Sequence, residues 1–105
     1  MSRISTHILN TSTGKPAAHV SVRLYREDQE IASGQTDSDG RCANLLEDGL
    51  TITTATYKLV FEVGSVFADG FYPHVMVAFK ALEGTMHYHI PLLLSPYGYT
   101  TYRGS

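Results

Sequence analysis

Several kinds of residue and segment are scarce or missing in this 105-residue sequence. Its single cysteine, Cys42, cannot form an intramolecular disulfide, which fits a reducing compartment. No window approaches the ~18 apolar residues of a membrane span, and no apolar segment follows Arg3 as a signal peptide requires. The formal net charge of -2 provides no basic surface for nucleic acid or anionic lipid. We therefore expect a cytoplasmic protein without nucleic-acid or membrane partners, and no peroxisomal C-terminal tripeptide changes that expectation.

Sustained helical periodicity is also missing, and short alternating β-rich stretches take its place. They predict seven or eight strands at spacings of about 8–12 residues, which is typical of an antiparallel β-sandwich. A chain of this length is expected to form one domain, residues 1–105. One helical turn is predicted around residues 65–68, and a loop at Glu47-Asp48-Gly49. The predicted strands cover residues 3–9, 20–25, 31–36, 41–45, 51–63, 74–80 and the two arms of a final hairpin.

That hairpin turns at Ser95-Pro96-Tyr97-Gly98, where proline has a suitable fixed φ at the second position and glycine takes the fourth. The register then pairs Leu94 with Tyr99, Pro91 with Tyr102, and His89 with Gly104. Alternation predicts a core face made of Tyr88, Ile90, Leu92 and Leu94. The opposite face carries His87, His89, Leu93, Thr100 and Tyr102. Because the hydrophobic face runs to the final residues, we expect Ser105 to be held in place.

Familiar site motifs are incomplete. Gly14-Lys15 lacks the upstream glycine of a phosphate loop, and Pro16 follows it. The turn at Asp37-Ser38-Asp39-Gly40 resembles part of a calcium loop, but a third acidic ligand is missing. A serine triad lacks both its Gly-x-Ser-x-Gly motif and an acid partner for Ser105. The alternatives that stay open are a zinc site of His7 with His87 or His89, and a Cys42 thiol activated by Arg41, although a core cysteine is favoured.

The remaining polar groups suit the addition of water to a carbonyl. Neutral imidazole accepts a proton at neutral pH, and arginine holds an anionic or carbonyl oxygen with its planar fork. Of the five histidines, His19 and His74 are interpreted as surface or hydrogen-bonded, partly buried residues. His7 stands in mid-strand, and His89 lies on the polar face of the hairpin. The residues alone do not indicate which imidazole acts as the base.

Several segments together resemble the transthyretin-like 5-hydroxyisourate hydrolases. The resemblance spans essentially the whole chain, and its most specific element is the terminal Tyr102-Arg103-Gly104-Ser105, which hormone-carrier transthyretins lack. The other segments are Ser5-Thr6-His7-Ile8-Leu9, Gly14-Lys15-Pro16-Ala17-Ala18, Thr36-Asp37-Ser38-Asp39-Gly40-Arg41, and residues 87–96, which begin His87-Tyr88-His89-Ile90-Pro91.

The resemblance implies two four-stranded sheets with one short helix, and a homotetramer whose central channel contains the active site. It also implies hydrolysis of 5-hydroxyisourate in urate degradation without a metal or an organic cofactor. Its implied catalytic residues are His7, Arg41, His89 and Ser105, and its implied substrate-binding residues are His7, Arg41, Tyr102, Arg103 and Gly104. The alternatives are a transthyretin-type carrier that binds an aromatic molecule in the same channel, and a sandwich domain without a site.

Overall fold

The fold consists almost entirely of short β-strands. A computed structural model describes residues 2–46 and 50–105, so the loop predicted at Glu47-Asp48-Gly49 lies outside the described residues. Within them are nine strands: β1 (Arg3–Asn10), β2 (Lys15–Pro16), β3 (Ser21–Arg26), β4 (Gln29–Gln35), β5 (Arg41–Cys42), β6 (Ala55–Phe61), β7 (Val75–Ala81), β8 (His87–Ser95) and β9 (Gly98–Thr101). No helix in the described ranges is long and apolar enough to cross a membrane.

The strands form two sheets, as predicted. Sheet 1 has the order β2-β1-β8-β9, and β5 also pairs with β1. Sheet 2 has the order β4-β3-β6-β7. The four-plus-four expectation therefore needs one correction, because the two-residue strands β2 and β5 make sheet 1 five-stranded. Such short strands have no alternation pattern of their own, so β2 was predicted as part of a loop.

One strand pair departs from the predicted antiparallel arrangement. Strands β1 and β8 run parallel, with Arg3 opposite His87 and Asn10 opposite Leu94. The other strand pairs among the described residues are antiparallel. All of sheet 2 separates β1 from β8 along the chain, so no hairpin turn fixes their relative direction. This pairing aligns the first strand directly with the strand that carries His87 and His89.

The core lies between the two sheets. Sheet 1 contributes buried Ile4, Ile8 and Leu92, and sheet 2 contributes buried Leu24, Tyr57, Leu59 and Phe61. The ring of Phe79 on β7 lies 5.8 Å from that of Tyr88 on β8, centroid to centroid, which joins the sheets at one end. The predicted core face of Tyr88, Ile90, Leu92 and Leu94 is confirmed, since all four are buried. The opposite face of sheet 1 is consequently the one available for chemistry.

Two predicted boundaries are corrected by local hydrogen bonds. The long strand predicted over 51–63 is shorter, because Thr53 donates its N–H to the Tyr57 hydroxyl at 3.1 Å instead of joining a ladder. The helical turn predicted at 65–68 is a 3₁₀ helix at Val63–Ser65, closed by the N–H of Val66 on the Val63 carbonyl. Neither change alters which residues face the core.

Candidate active site

The candidate site lies on the outer face of sheet 1. In the parallel register Arg3 stands opposite His87, Ser5 opposite His89, and His7 opposite Pro91. Residues opposite each other in a sheet project to the same side. Because Ile4, Thr6 and Ile8 point into the core, the side chains of Arg3, Ser5 and His7 share the outer face with the two histidines of β8. Alternation along two strands thus collects the polar groups.

A tight turn brings Arg41 to this face. Asp37 Oδ1 accepts the backbone N–H groups of Asp39 at 2.9 Å and of Arg41 at 3.0 Å. Gly40 has φ +74°, a conformation that suits glycine, and an added Cβ would lie 2.6 Å from the Ile8 carbonyl oxygen. The turn leads into β5, where Arg41 stands opposite His7. The predicted turn is therefore confirmed, and it sets Arg41 beside the first strand.

The final residues return to His89. The Gly104 N–H donates to the His89 carbonyl at 2.8 Å, and the two residues form the predicted antiparallel bridge. A Cβ on Gly104 would lie 2.5 Å from His89 Cδ2 and 3.2 Å from Pro91 Cγ, so only glycine fits here without displacing the imidazole. This close approach holds the neighbouring Ser105 at the rim of the site.

A cavity of about 220 Å³ opens between these elements. Three of the residues singled out in the sequence, Arg41, His89 and Ser105, line it together. Arg3, Ser5 and His87 also line it. The cavity is small compared with the roughly 300–1,000 Å³ typical of ligand pockets. One copy of the chain therefore presents a shallow cleft with a guanidinium, an imidazole and a hydroxyl residue.

The other sequence-predicted residues lie around this cleft. His7 is on the same face and next to Arg41, but it does not line the cavity. Tyr102 and Arg103 line a separate cavity of about 240 Å³ with Phe79 and Tyr88. The guanidinium of Arg103 lies 4.9 Å from the centre of the Tyr88 ring, a cation–π contact that fastens the final segment to β8. Gly104 connects the two cavities, because it follows Arg103 of the second cavity and forms a bridge with His89 of the first.

Sequence reasoning missed Ser5 and Arg3 as site residues, and it considered His87 only as a metal ligand. Ser5 Oγ lies 2.7 Å from His87 Nε2 and 2.8 Å from His89 Nδ1. His87 Nδ1 lies 3.4 Å from an Arg3 guanidinium nitrogen. Alternation along β1 does place Ser5 on the face of His7. What could not be read from the sequence was the parallel pairing that sets this face against β8.

The surroundings keep both imidazoles of β8 uncharged at neutral pH. Burial lowers the pKa of His89 below 6.5, and the neighbouring His87, Arg41 and His7 lower it further, while a backbone hydrogen bond at Ser5 opposes them. Burial also lowers the pKa of His87, helped by the positive charge of Arg3. Neutral imidazoles are suited to exchange or donate protons at a carbonyl centre.

Cys42 also lines the cleft, but it is poorly suited to nucleophilic chemistry. It is buried in the core cluster, as favoured from the sequence. Burial raises the pKa of its thiol, and the negative charge of Asp37 raises it further. A thiol held protonated at neutral pH is a weak nucleophile.

In residues 2–46 and 50–105, no three His, Cys, Asp or Glu side chains converge as metal ligands would.

Comparison with known proteins gives consistent matches along the chain. A family model described as the HIUase/Transthyretin family matches residues 4–104. The protein 5-hydroxyisourate hydrolase 2 of Rhizobium meliloti is 41% identical over 115 residues, covering 98% of this chain and 96% of that protein. The structure of Klebsiella pneumoniae 5-hydroxyisourate hydrolase superposes with a TM-score of 0.88 at 38% identity and covers 100% of both chains.

A thyroxine-bound transthyretin has the same fold. Sea bream transthyretin in complex with thyroxine also superposes with a TM-score of 0.88, at 28% identity, covering 97% of this chain and 94% of that one. Backbone similarity therefore does not distinguish the 5-hydroxyisourate hydrolase from the transthyretin, whereas the sequence identity is higher to the hydrolase. The family model, the full-length relatives and the two-sheet fold agree that this chain belongs to the HIUase/Transthyretin family.

Proposed function

We propose that this protein hydrolyses 5-hydroxyisourate to 2-oxo-4-hydroxy-4-carboxy-5-ureidoimidazoline in urate degradation. One observation carries the proposal: Arg41, His89 and the Ser105 segment meet in a single cleft. Full-length relatives at about 40% identity that are named 5-hydroxyisourate hydrolase support it, among them proteins of Rhizobium meliloti and mouse. Water addition to a ring carbonyl needs a proton acceptor and a cation for the developing oxyanion, and this cleft has both kinds of group.

In the proposed reaction a water molecule attacks the C6 carbonyl of the substrate. One imidazole, His7 or His89, accepts a proton from that water. Arg41 and backbone N–H groups stabilise the negative oxygen of the tetrahedral intermediate. The N1–C6 bond then breaks, and a histidine returns the proton to the departing nitrogen. The step is balanced by water alone and needs no metal or organic cofactor.

The final four residues form the proposed binding wall. Arg103 is fastened to Tyr88, and Gly104 is hydrogen-bonded to His89. These contacts hold Ser105 at the cleft, where its hydroxyl can hydrogen-bond to the substrate. Tyr102 lies beside this anchor with more than half of its surface exposed. An ordered final segment of this kind suits substrate recognition because its conformational entropy is already lost before binding.

We further propose that the working form is a homotetramer, with substrate sites along a channel between copies. A cleft of about 220 Å³ in one copy is too open to enclose a bicyclic substrate, and a neighbouring copy would supply the missing wall. Sedimentation velocity should give a mass of four chains, and a stable monomer that retains full activity would contradict this arrangement.

We propose a cytoplasmic location, which the lone cysteine fits.

The second candidate function is a carrier, which the likeness to thyroxine-bound sea bream transthyretin supports. The two functions are separated by following the ultraviolet decay of freshly generated 5-hydroxyisourate with and without the protein. We expect faster decay with the intact chain and near-background decay after deletion of residues 102–105. A His19→Asn variant is the matched control, because His19 is exposed and lies outside the cleft. If the intact protein does not accelerate the decay, the hydrolase proposal is wrong.

A further inference from the structure

A chain of hydrogen bonds runs through the site and includes three residues without a part in the reaction proposed above. Arg3 contacts His87 Nδ1 at 3.4 Å, His87 Nε2 contacts Ser5 Oγ at 2.7 Å, and Ser5 Oγ contacts His89 Nδ1 at 2.8 Å. It crosses between β1 and β8 three times. Ser5 is only 6% exposed, so bulk water has little access to the hydroxyl that links the two rings.

The Arg3 guanidinium, at the start of this series of hydrogen bonds, determines which atom donates and which accepts in each of them. A guanidinium has only N–H donors and no acceptor, so His87 Nδ1 must be the acceptor. A neutral imidazole has one N–H group, which in His87 is therefore on Nε2 and points to Ser5 Oγ. The Ser5 hydroxyl has a single proton. Since it accepts from His87, it is free to donate that proton to His89 Nδ1.

The same reasoning fixes the proton of His89. With Nδ1 accepting from Ser5, a neutral His89 must carry its N–H on Nε2, the ring nitrogen that remains for a bound molecule. Both rings are neutral at neutral pH because they are partly buried next to permanently charged guanidinium groups, Arg3 beside His87 and Arg41 beside His89. His89 therefore presents a donor, and not an acceptor, to its surroundings.

We propose that Arg3, His87 and Ser5 are positioning residues that hold His89 in the Nε2–H tautomer, so that it donates a hydrogen bond to the substrate carbonyl oxygen during water attack. The inference rests on the proposed hydrolase function and divides the work between the two imidazoles. His7 accepts the proton from water and later gives it to the departing ring nitrogen. His89 keeps its own proton throughout, so protons balance without an imidazolate. A neutral imidazole donor of this kind is an established way to polarise a carbonyl.

The tautomers of His87 and His89 can be measured directly in the wild-type protein. Long-range two-dimensional ¹H–¹⁵N spectra of protein labelled with ¹⁵N-histidine distinguish the two neutral forms without substrate. Signals of His87 and His89 are assigned by their loss in His87→Gln and His89→Asn. We expect protonated Nε2 and unprotonated Nδ1 in both rings. An Nδ1–H signal for His89 would overturn the proposal whether or not the protein hydrolyses 5-hydroxyisourate.

Two similar substitutions at position 87 test the direction of the chain. In His87→Gln the side-chain amide still donates to Ser5, and His89 should remain Nε2–H. In His87→Glu the carboxylate only accepts, so Ser5 must donate to it and His89 should change to Nδ1–H. Loss of an oxyanion donor costs about 10²–10³-fold in kcat, so we expect such a loss, with KM little changed, in the Glu variant only. An unchanged His89 tautomer in that variant, or equal turnover in the two variants, would contradict the proposal.

The hydroxyl that links the two rings is tested separately. Ser5→Ala removes the hydrogen bond that fixes the His89 ring, and we expect kcat to fall about tenfold. Ser33→Ala is the control, because Ser33 is an exposed strand serine on sheet 2. Thermal unfolding checks that both variants fold. A folded Ser5→Ala protein with wild-type kcat would count against the positioning role.

Discussion

At the scale of single residues, the site depends on two small residues that lie on either side of one imidazole. Ser5 bonds to Nδ1 of His89 from β1, and Gly104 lies against the Cδ2 edge of the ring from the final segment. A larger residue at either position would move the ring. The reactivity of His89 is thus set by neighbours that need not contact substrate themselves.

Substitution of Gly104 tests this steric requirement. In Gly104→Ala the new methyl group would lie 2.5 Å from His89 Cδ2, so the ring or the final segment must shift. We expect turnover to fall about 10–100-fold, since small misplacements of catalytic groups have effects of this size. The matched control is Gly98→Ala, where the nearest atom is Ser95 Oγ at 3.6 Å. Wild-type kinetics in folded Gly104→Ala would mean that the close approach has no functional consequence.

The two imidazoles in the proposed mechanism are tested by removing each ring. His7→Asn and His89→Asn should each reduce kcat/KM by about 10²–10⁴-fold, the usual contribution of a positioned acid, base or donor. His19→Asn should retain activity; His19 has φ 61°, which asparagine tolerates better than most residues. Steady-state kinetics on freshly generated 5-hydroxyisourate gives the comparison. Full turnover in both of the first two variants would show that the roles are misassigned.

At the scale of elements, one of the two shortest strands has a large effect on the site. Strand β5 has only two residues and pairs with β1 at Thr6 and His7. Its position is fixed mainly by the preceding turn, in which Asp37 accepts two backbone N–H groups. Those hydrogen bonds, followed by the positive charge of Arg41, hold the pKa of the Asp37 carboxyl below 3.8 despite the opposing effect of burial. The turn therefore stays anchored across the physiological range.

Removal of this anchor should affect activity more than folding. In Asp37→Ala the Arg41 N–H loses its carboxylate partner and only the bond from the residue 37 N–H to the Arg41 carbonyl remains, so we expect Arg41 to become more mobile and kcat/KM to fall about tenfold. Asp39→Ala is the matched control, since Asp39 contributes its backbone N–H to the turn. Kinetics and thermal unfolding should be measured on both proteins. Equal kinetics in the two variants would contradict a role for the turn in placing Arg41.

The elements also explain which parts of the structure were predictable. The register of the final hairpin follows from one turn, because a two-residue loop fixes every later pair, and Leu94 does face Tyr99. The bridge of His89 to Gly104 follows from the same count. Pairing of β1 with β8 has no local signal, since the two strands are distant in sequence. Ser5 was missed for this reason, although its own strand was predicted correctly.

At the scale of the whole molecule, the lowered histidine pKa values link stability to pH. In the unfolded chain His87 and His89 would titrate near 6.5, whereas the folded chain binds their protons only at lower pH. Below pH 6.5 the unfolded state therefore binds more protons than the folded state. The free energy of unfolding should therefore fall as the pH decreases below 6.5. Well above pH 6.5 both states leave the two rings unprotonated, so these histidines should give no pH dependence there.

Thermal unfolding midpoints between about pH 8 and pH 5 test this linkage. We expect a steady decrease on the acid side of 6.5 for the wild type, and a flatter profile for His87→Gln/His89→Asn. His74→Gln is the control, because His74 is exposed and should leave the slope unchanged. The charged and polar neighbours that also face the two rings, His7, Arg3, Arg41 and Ser5, are kept in all proteins. Identical slopes in the double variant and the wild type would contradict the assignment.

The parallel pairing of β1 with β8 also has a consequence for folding during synthesis. Ser5 leaves the ribosome early, but His87 follows 82 residues later, and His89 follows 84 residues after Ser5. Until then, among the described strands, the first strand has only the two-residue strands β2 and β5 as partners in its own sheet. Topologies that join distant segments fold slowly, over milliseconds to seconds. We therefore expect the reactive cleft to assemble only after β8 has been synthesised, with the nascent first strand dependent on chaperones until that point.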